Sequence, residues 1–156
     1  MPSPSERIAT YGEFWPYYLS EHRSATSRWL HFVGTMGFVG TFISCMVDRP
    51  AAMGAALAVS AVALWAGFRL ESRRSAAPLL LIAIAAHALA HPWVLCGVLW
   101  AYGFAWVGHF RVEGNRPATF QYPLWSLASD LKMVGTMWTG RLWTGDSLPE
   151  PRQVAP

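Results

Sequence analysis

The feature that most constrains the fold is a set of four apolar segments separated by short polar breaks. They span residues 30–47, 51–68, 76–91 and 93–110, and each is 16 to 18 residues long. A helix of that length measures about 24–27 Å, close to the hydrocarbon thickness of a bilayer. We therefore predict an all-α, multi-pass membrane protein with four short transmembrane helices.

A soluble four-helix bundle with a buried core is the alternative. A bundle helix in water needs a polar face, whereas residues 51–68 carry a single polar side chain, Ser60. The small residues that recur in this segment also suit helix packing in lipid. Charged residues make up only 13% of the chain, about half of the roughly 25% that is usual in globular proteins. The composition therefore favours the membrane protein.

The basic residues predict the orientation. All twelve Lys and Arg residues except Arg49 precede the first segment, lie in the loop 69–75, or follow the fourth segment. With four spans, those regions share one side, which the positive-inside rule assigns to the cytoplasm. We expect a multi-pass protein of a bacterial inner membrane with both termini cytoplasmic. No basic stripe alternates with exposed aromatics, so the expected partner is the lipid bilayer and not nucleic acid.

The stretches that flank the spans predict helices that lie in the membrane interface. Residues 11–22 are rich in aromatic side chains, and residues 122–138 repeat apolar side chains near helical spacing. The aromatics expected at the headgroup level are Trp15, Tyr17, Tyr18 and Trp125, and the apolar stripe comprises Leu124, Leu127, Leu131, Val134 and Trp138. We divide the chain into a polar tail at 1–10, a membrane domain at 11–142 and a disordered tail at 143–156.

Three histidines fall near the cytoplasmic face in this topology. His22 precedes the first span, His31 begins it, and His109 ends the fourth. Three imidazoles at one face are typical of a metal site. His22 and His31 are nine positions apart, so they can point together only if the chain breaks between them. Residues 24–27, Ser-Ala-Thr-Ser, suit such a break because serine and threonine cap helix N-termini. Glu113, four positions beyond His109, is a candidate ligand or the acceptor that orients a ligand imidazole.

His87 and His91 form a competing pair at i and i+4, which is also a ligand spacing on a helix. The topology places His91 at the outer face and His87 at mid-membrane, too far from the other histidines to join them. An ionisable residue inside a membrane is a functional candidate by default, so His87 remains a second choice. A neutral His87 bonded to a neighbouring helix is the alternative. Cys45 and Cys96 fall near the outer face, as free thiols or as a disulfide.

Three stretches carry a family resemblance: "FWPYYLSEHRSATSRWLHFVGT", "GHFRVEGNRPATF" and "YPLWSLASDLKM". Across residues 11–142 the chain resembles the Mpo1-like family, also called domain of unknown function 962. Characterised fungal members are iron(II)-dependent dioxygenases of the endoplasmic reticulum membrane that shorten 2-hydroxy fatty acids by one carbon. The resemblance implies that activity here, with Fe(II) as cofactor, dioxygen as co-substrate, and His22, His31 and His109 as metal ligands.

The residues suit this chemistry in their own right. Histidines with a carboxylate fit non-haem iron, which must leave positions open for dioxygen and substrate. Arg116 is placed to pair with the fatty-acid carboxylate in a two-pronged contact, and Asn115 to hydrogen-bond the hydroxyl or bound oxygen. With Glu113 they are the predicted catalytic residues. Two other classes stay open: a membrane lipid hydrolase or hydroxylase that uses zinc or two irons, and a non-enzymatic scaffold or small transporter.

Overall fold

The computed structural model describes residues 7–144, and the rest of the two predicted tails lies outside the described residues. Every regular element in the described range is helical, which confirms the all-α prediction. Within residues 7–144 there are six α-helices: α1 Tyr11–Ser20, α2 Ala25–Asp48, α3 Pro50–Leu70, α4 Ala77–Ala90, α5 Val94–Val107 and α6 Pro123–Trp138. A π-helical turn, Gly108–Glu113, and a short 3-10 turn, Ala118–Phe120, connect α5 to α6.

The helix ends follow from local sequence. Thr10 and Glu13 form a reciprocal capping box that begins α1. Ser24 caps α2 by accepting a hydrogen bond from the Thr26 N–H. The break predicted between His22 and His31 is therefore present, and it ends at the first residue of the 24–27 stretch. Proline occupies the first turn of α3, α4 and α6, where its missing N–H is not needed.

The four long apolar helices form two antiparallel pairs. α2 packs mainly against α5, and α3 packs mainly against α4. Between the pairs the contacts are few, and they include the tight turns that join α2 to α3 and α4 to α5. α1 and α6 pack together across the end at which α2 and α4 begin. Cys45 on α2 and Cys96 on α5 are both free thiols. The bundle therefore has a capped end and a loosely filled interior.

Two of the helices, α2 and α3, are long and apolar enough to cross a membrane, judged by length and composition. α4 is an apolar helix of 14 residues, and α5 also has 14 residues before the π-helical turn. Both are shorter than the apolar runs that predicted them. The third run ends in a turn at His91, and the fourth leaves α-helical geometry at Gly108. The four-span topology stays a prediction.

The N-terminal helix is more deeply packed than its sequence predicted. Phe14 and Tyr18 of α1 are buried against Trp125 of α6 in one hydrophobic cluster. Tyr18 and Trp125, which were predicted to lie at the headgroup level, have their rings buried in the interface between the two helices, and their depth in the membrane stays a prediction. Trp15 and Tyr17 are only partly buried and pack at the edge of that cluster.

The C-terminal helix α6 divides its predicted apolar stripe between core and surface. Leu124 is buried, whereas Leu131 and Trp138 are 52% and 69% exposed. Its serines face inward, since Ser126 and Ser129 are almost completely buried. The two serines therefore face the protein interior together with Leu124, while Leu131 and Trp138 lie on the outward side, as expected of a helix at a membrane surface.

A buried carboxylate fixes the capped end. Glu71, in the loop predicted to be a basic cytoplasmic segment, is 0% exposed. Its carboxylate accepts hydrogen bonds from the N–H groups of Ala76, Leu124 and Trp125. These N–H groups belong to the beginnings of α4 and α6, where helices leave donors without internal partners. Glu71 thus joins the end of α3 to the beginnings of α4 and α6.

Candidate metal centre

Three histidines from separate elements meet at the capped end of the bundle. His22 lies in the loop after α1, His31 in the second turn of α2, and His109 in the π-helical turn. One ring nitrogen of each lies within 4.8 Å of the other two, and His22 Nε2 is 3.2 Å from His31 Nε2. All three side chains are buried. The structure thus brings together the three residues that topology placed at one face, and metal binding by them stays a prediction.

Hydrogen bonds determine which nitrogen of each ring is free. Every Nδ1 lies 2.7 Å from an oxygen that accepts its proton. The acceptors are the Tyr18 carbonyl for His22, the Asp130 carboxylate for His31 and the Asn115 side-chain oxygen for His109. Because each Nδ1 carries the proton, each neutral ring keeps a bare lone pair on Nε2. For His22 and His31, the free Nε2 atoms are also the ones that face each other, 3.2 Å apart.

This arrangement is unfavourable without a cation. His22 and His31 approach to hydrogen-bond distance at Nε2, yet neither nitrogen has a proton to share. Burial lowers the pKa of His22 well below its usual range, and His31 and His109 lower it further, so a proton is a poor bridge. A divalent metal bonded to imidazole at about 2.0–2.1 Å suits this separation. The three Nε2 atoms therefore form a set that fits one metal ion.

The lowered pKa of His22 predicts a pH dependence for the metal-free protein. The folded state keeps His22 neutral, whereas the unfolded chain takes up a proton near pH 6.5. Because the unfolded state then binds more protons, stability should be greatest above about pH 6.5 and fall as the pH drops below that value. Thermal unfolding of the metal-free protein between pH 8 and 5 measures this loss. A His22→Gln variant should show a smaller loss, and an equal loss would contradict the assignment.

The π-helical turn places His109. Its hydrogen bonds skip one residue more than those of an α-helix, which rotates the side chains that follow. Gly108 permits close packing on α2, because a Cβ there would lie 3.0 Å from Ser27 Oγ. Gly114 ends the turn in the left-handed conformation, with φ 68°, and the Asn115 N–H donates to the His109 carbonyl at 3.1 Å. Because the chain reverses direction at Gly114, the Asn115 side chain lies against the His109 ring.

Asp130 on α6 is a site residue that the sequence reasoning did not identify. Its Oδ1 accepts from His31 Nδ1 and from the Tyr18 hydroxyl. Burial raises the pKa of Tyr18 well above its usual range and the Asp130 charge raises it further, so Tyr18 stays protonated and donates. A carboxylate behind a ligand histidine is common in metal sites. The sequence signal that could have identified Asp130 is its position in "YPLWSLASDLKM", the third stretch that resembles the family.

We expect Asp130→Asn to weaken metal binding about 10- to 100-fold, because the neutral side chain no longer stabilises the oriented His31 ring by charge. Anaerobic titration of the purified protein with Fe(II) measures the affinity. Tyr18→Phe should have a smaller effect, since it removes only one of the bonds to Asp130. Glu13→Gln, which changes an exposed acid at the start of α1, is the control. An Asp130→Asn protein with wild-type affinity would show that Asp130 does not support the ligand.

Of the three predicted catalytic residues, only Asn115 contacts a histidine. Its side-chain oxygen accepts from His109, while its amide donates to the Glu21 carbonyl and carboxylate, each at 2.8 Å. These bonds fix the orientation of the amide and hence the tautomer of His109. Asn115 therefore has the orienting contact that the sequence reasoning gave to Glu113.

Glu113 and Arg116 lie away from the rings. The Glu113 carboxylate accepts from the Ser24 N–H at 2.9 Å, at the start of α2. We expected Glu113 to share a helix face with His109, which requires a continuous α-helix. The segment that joins them is π-helical instead, so a spacing of four residues no longer places the two side chains on one face. Arg116 is exposed, and its guanidinium stacks on the Phe120 ring at 4.8 Å. In the described part of the chain Arg116 has no ion pair, and its pairing with a substrate carboxylate stays a prediction.

A buried arginine holds the loop that carries His22. Arg28 is 0% exposed and donates to the carbonyls of His22, Arg23 and Leu142 at 2.7–2.8 Å, and to that of Thr144. The ion pairs formed within residues 7–144 do not involve it. Because Arg28 precedes the first apolar segment, it was grouped with the basic residues of the cytoplasmic side. In the structure its side chain points inward and anchors the loop that carries His22.

An apolar cavity of about 390 Å³ extends from the histidines into the bundle, between the two helix pairs. His31, His109 and Asp130 line it at the capped end, and Phe42 and Val94 line it toward the opposite end. Its size is within the range of small-molecule binding sites, which are about 300–1,000 Å³. The cavity thus offers room for an apolar ligand whose polar end reaches the histidine cluster.

The competing histidine pair does not join the cluster. His87 Nδ1 lies 2.9 Å from a carbonyl one turn earlier on α4 and 3.2 Å from Ser60 Oγ on α3. His91 Nε2 lies 3.0 Å from the Asp48 carboxylate at the opposite end of the bundle. The contact with Ser60 agrees with the alternative kept open for His87, a ring bonded to a neighbouring helix.

Comparison with known families identifies the class of protein. Residues 8–142 match the family described as "2-hydroxy-palmitic acid dioxygenase Mpo1-like". The chain belongs to the Mpo1-like family, as the resemblance in the three quoted stretches predicted. The matched range contains the three clustered histidines as well as Asn115 and Asp130. Searches among curated proteins and among solved structures gave no match.

Proposed function

We propose that the protein is an iron(II)-dependent membrane dioxygenase that shortens 2-hydroxy fatty acids by one carbon. The observation that carries the proposal is the cluster of His22, His31 and His109, whose Nδ1 atoms are all engaged and whose Nε2 atoms are bare. Three neutral nitrogens can hold a divalent ion and leave positions for other ligands. Such a set also suits zinc, and the dioxygenase description of the family favours iron.

The cavity supports a fatty acid as the substrate. It is apolar over most of its wall, and His31, His109 and Asp130 lie at one end of it. A 2-hydroxy acid matches that polarity, since its adjacent hydroxyl and carboxylate oxygens form a chelating pair at one end of an apolar chain. We propose that the head group lies at the histidines and the chain lies between the helix pairs.

The proposed reaction balances without a further reductant. Cleavage of the C1–C2 bond of R–CH(OH)–COOH by one O2 gives R–COOH, CO2 and water, and the four electrons that leave the acid reduce the dioxygen. Bound iron supplies the one-electron chemistry with dioxygen that protein side chains lack. The protein holds the ligand rings through Asp130, Asn115 and the Tyr18 carbonyl. The apolar cavity wall excludes water from the acyl chain.

We also propose that all four long helices cross the membrane, with both termini cytoplasmic. Large apolar side chains are exposed on the two shorter helices as well, including Leu89 of α4 at 87% and Leu99 of α5 at 72%. Extended apolar surface of this kind is unfavourable in water and favourable in lipid. The pairing of α4 with α3 and of α5 with α2 supports a common depth for each pair.

This topology predicts which positions react with a thiol reagent that cannot cross membranes. In a background without Cys45 and Cys96, a cysteine at Asp48 should be labelled from the outside of intact cells and one at Ser75 should not. The reason is that the loop 69–75 is basic and faces the cytoplasm. Both positions should react after permeabilisation, which is the control. The reverse pattern would overturn the orientation.

Metal analysis combined with oxygen consumption tests the proposed function. The purified protein should contain a single iron per chain and consume oxygen with 2-hydroxy fatty acids, but not with the 3-hydroxy isomers. Stoichiometric zinc without oxygen consumption would indicate a lipid hydrolase instead. If the biological function survived alanine at each of His22, His31 and His109, a scaffold or transporter would be the better description.

A further inference from the structure

One histidine in the wall of the apolar cavity has a ring nitrogen that bonds to no group within residues 7–144. His87 of α4 is 7% exposed and lines the cavity together with Ser60 of α3. Its Nδ1 is 2.9 Å from the Ala83 carbonyl, which can only accept, so Nδ1 carries the proton of the neutral ring. Nε2 is then a hydrogen-bond acceptor, and it is buried without a partner among the residues that the structure describes.

Helix packing does not account for this free acceptor. The contact between α3 and α4 uses Nδ1 and Ser60 Oγ, 3.2 Å apart, and leaves Nε2 unused. The surroundings are otherwise apolar, with the Phe42 ring centred 5.1 Å from the His87 ring. An unpaired acceptor in such surroundings is unfavourable, and a ligand that supplies an O–H donor would relieve the cost.

We propose that the cavity binds long-chain acids that carry an additional hydroxyl far from the carboxylate, and that this hydroxyl donates to His87 Nε2. The cavity would therefore recognise the position of a hydroxyl group along the fatty acid as well as its apolar hydrocarbon. The inference rests on the proposed function for one point only, that the carboxylate end lies at the histidine cluster.

The fold predicts the position of the hydroxyl. His31 and Phe42 both line the cavity from α2, and their eleven-residue separation corresponds to about 16 Å along the helix. Since His87 lies against Phe42, it is at a similar distance from the clustered histidines. An extended hydrocarbon chain with C–C bonds of about 1.5 Å advances about 1.3 Å per carbon. The hydroxyl should therefore lie roughly twelve carbons from the head.

Competition binding with hydroxylated fatty acids tests the proposal. The full-length protein in detergent is titrated with 12-hydroxyoctadecanoic acid and with 6-hydroxyoctadecanoic acid, each displacing a fluorescent fatty acid. The two isomers have equal hydrophobicity, so partitioning into detergent cancels in their ratio. Neither has a 2-hydroxyl group, so the measurement does not depend on turnover. We expect the 12-hydroxy isomer to bind about tenfold more tightly, equivalent to about 1.4 kcal/mol.

Variants separate recognition from a packing role. His87→Leu should abolish the preference for the 12-hydroxy isomer, so that both isomers bind about equally. His87→Phe, which preserves an aromatic contact with Phe42, should do the same. His91→Leu removes a histidine of the neighbouring turn that does not line the cavity, so the preference should remain. Equal binding of both isomers by the wild type, or a preference that survives both His87 variants, would overturn the inference. Either result would leave the iron and oxygen measurements of the proposed function unaffected.

Discussion

Replacing His109 with alanine should abolish stoichiometric iron binding and, with it, oxygen consumption. Its Nε2 is one of three free nitrogens in the cluster, so its loss removes a metal–ligand bond. The decrease in affinity should exceed the roughly 10- to 100-fold decrease typical of residues that only orient a ligand. The same result is expected for His22→Ala and His31→Ala. Metal content per chain and Fe(II) titration under anaerobic conditions measure the effect.

The matched control is His91→Ala, which removes another buried histidine that pairs with Asp48 at the opposite end of the bundle. Its iron content should equal that of the wild type. If alanine at His87 and His91 abolished binding while the three clustered histidines proved dispensable, the metal site would lie on α4 and the assignment would be wrong.

Replacing Arg28 with methionine should cause the largest loss of stability among single substitutions outside the cluster. The change removes the donors of four carbonyl groups, two of them in fully buried bonds. Each unpaired buried carbonyl costs about 1–3 kcal/mol, partly offset because a buried charge is also removed. We expect a net loss of about 3 kcal/mol, or roughly 6–12 °C in melting temperature for a chain of this size.

Tryptophan fluorescence during heating in detergent measures this change, and iron titration should show a parallel loss because Arg28 holds the His22 carbonyl. Arg28→Lys keeps the charge but not the planar fork of donors, so an intermediate value is expected. Arg23→Met, at an exposed neighbour, should change little. An Arg28→Met protein that melts at the wild-type temperature would contradict the anchoring role.

Local patterns were sufficient to predict the helices. The apolar runs and the serine before α2 both act within a few residues, so their effect can be read from the chain. The meeting of His22, His31 and His109 was also predictable, because a chain that alternates direction returns the end of the fourth segment to the beginning of the first. The π-helical turn was not predicted, since no periodicity in six residues distinguishes it from an α-helix.

The supporting residues could not be predicted because their partners are distant in sequence. Asp130 contacts His31 across 99 positions, and Arg28 contacts Leu142 across 114. On the sequence alone, Arg28 resembles a surface charge beside a span, and Asp130 resembles the polar side of an interfacial helix. Their contacts are decided by how α1 and α6 pack across the end of the bundle, which the composition of neither helix reveals.

The most direct test of the proposed chemistry is product analysis with 2-hydroxyhexadecanoic acid under a measured supply of oxygen. The iron-loaded protein should convert it to pentadecanoic acid and CO2, with one O2 consumed per acid and no added reductant. His31→Ala should form none, while His91→Ala, at a buried histidine that pairs with Asp48 at the opposite end of the bundle, should retain the reaction. Iron-loaded protein that leaves the acid intact, or that yields a product still containing sixteen carbons, would contradict the assignment as a dioxygenase that shortens 2-hydroxy acids.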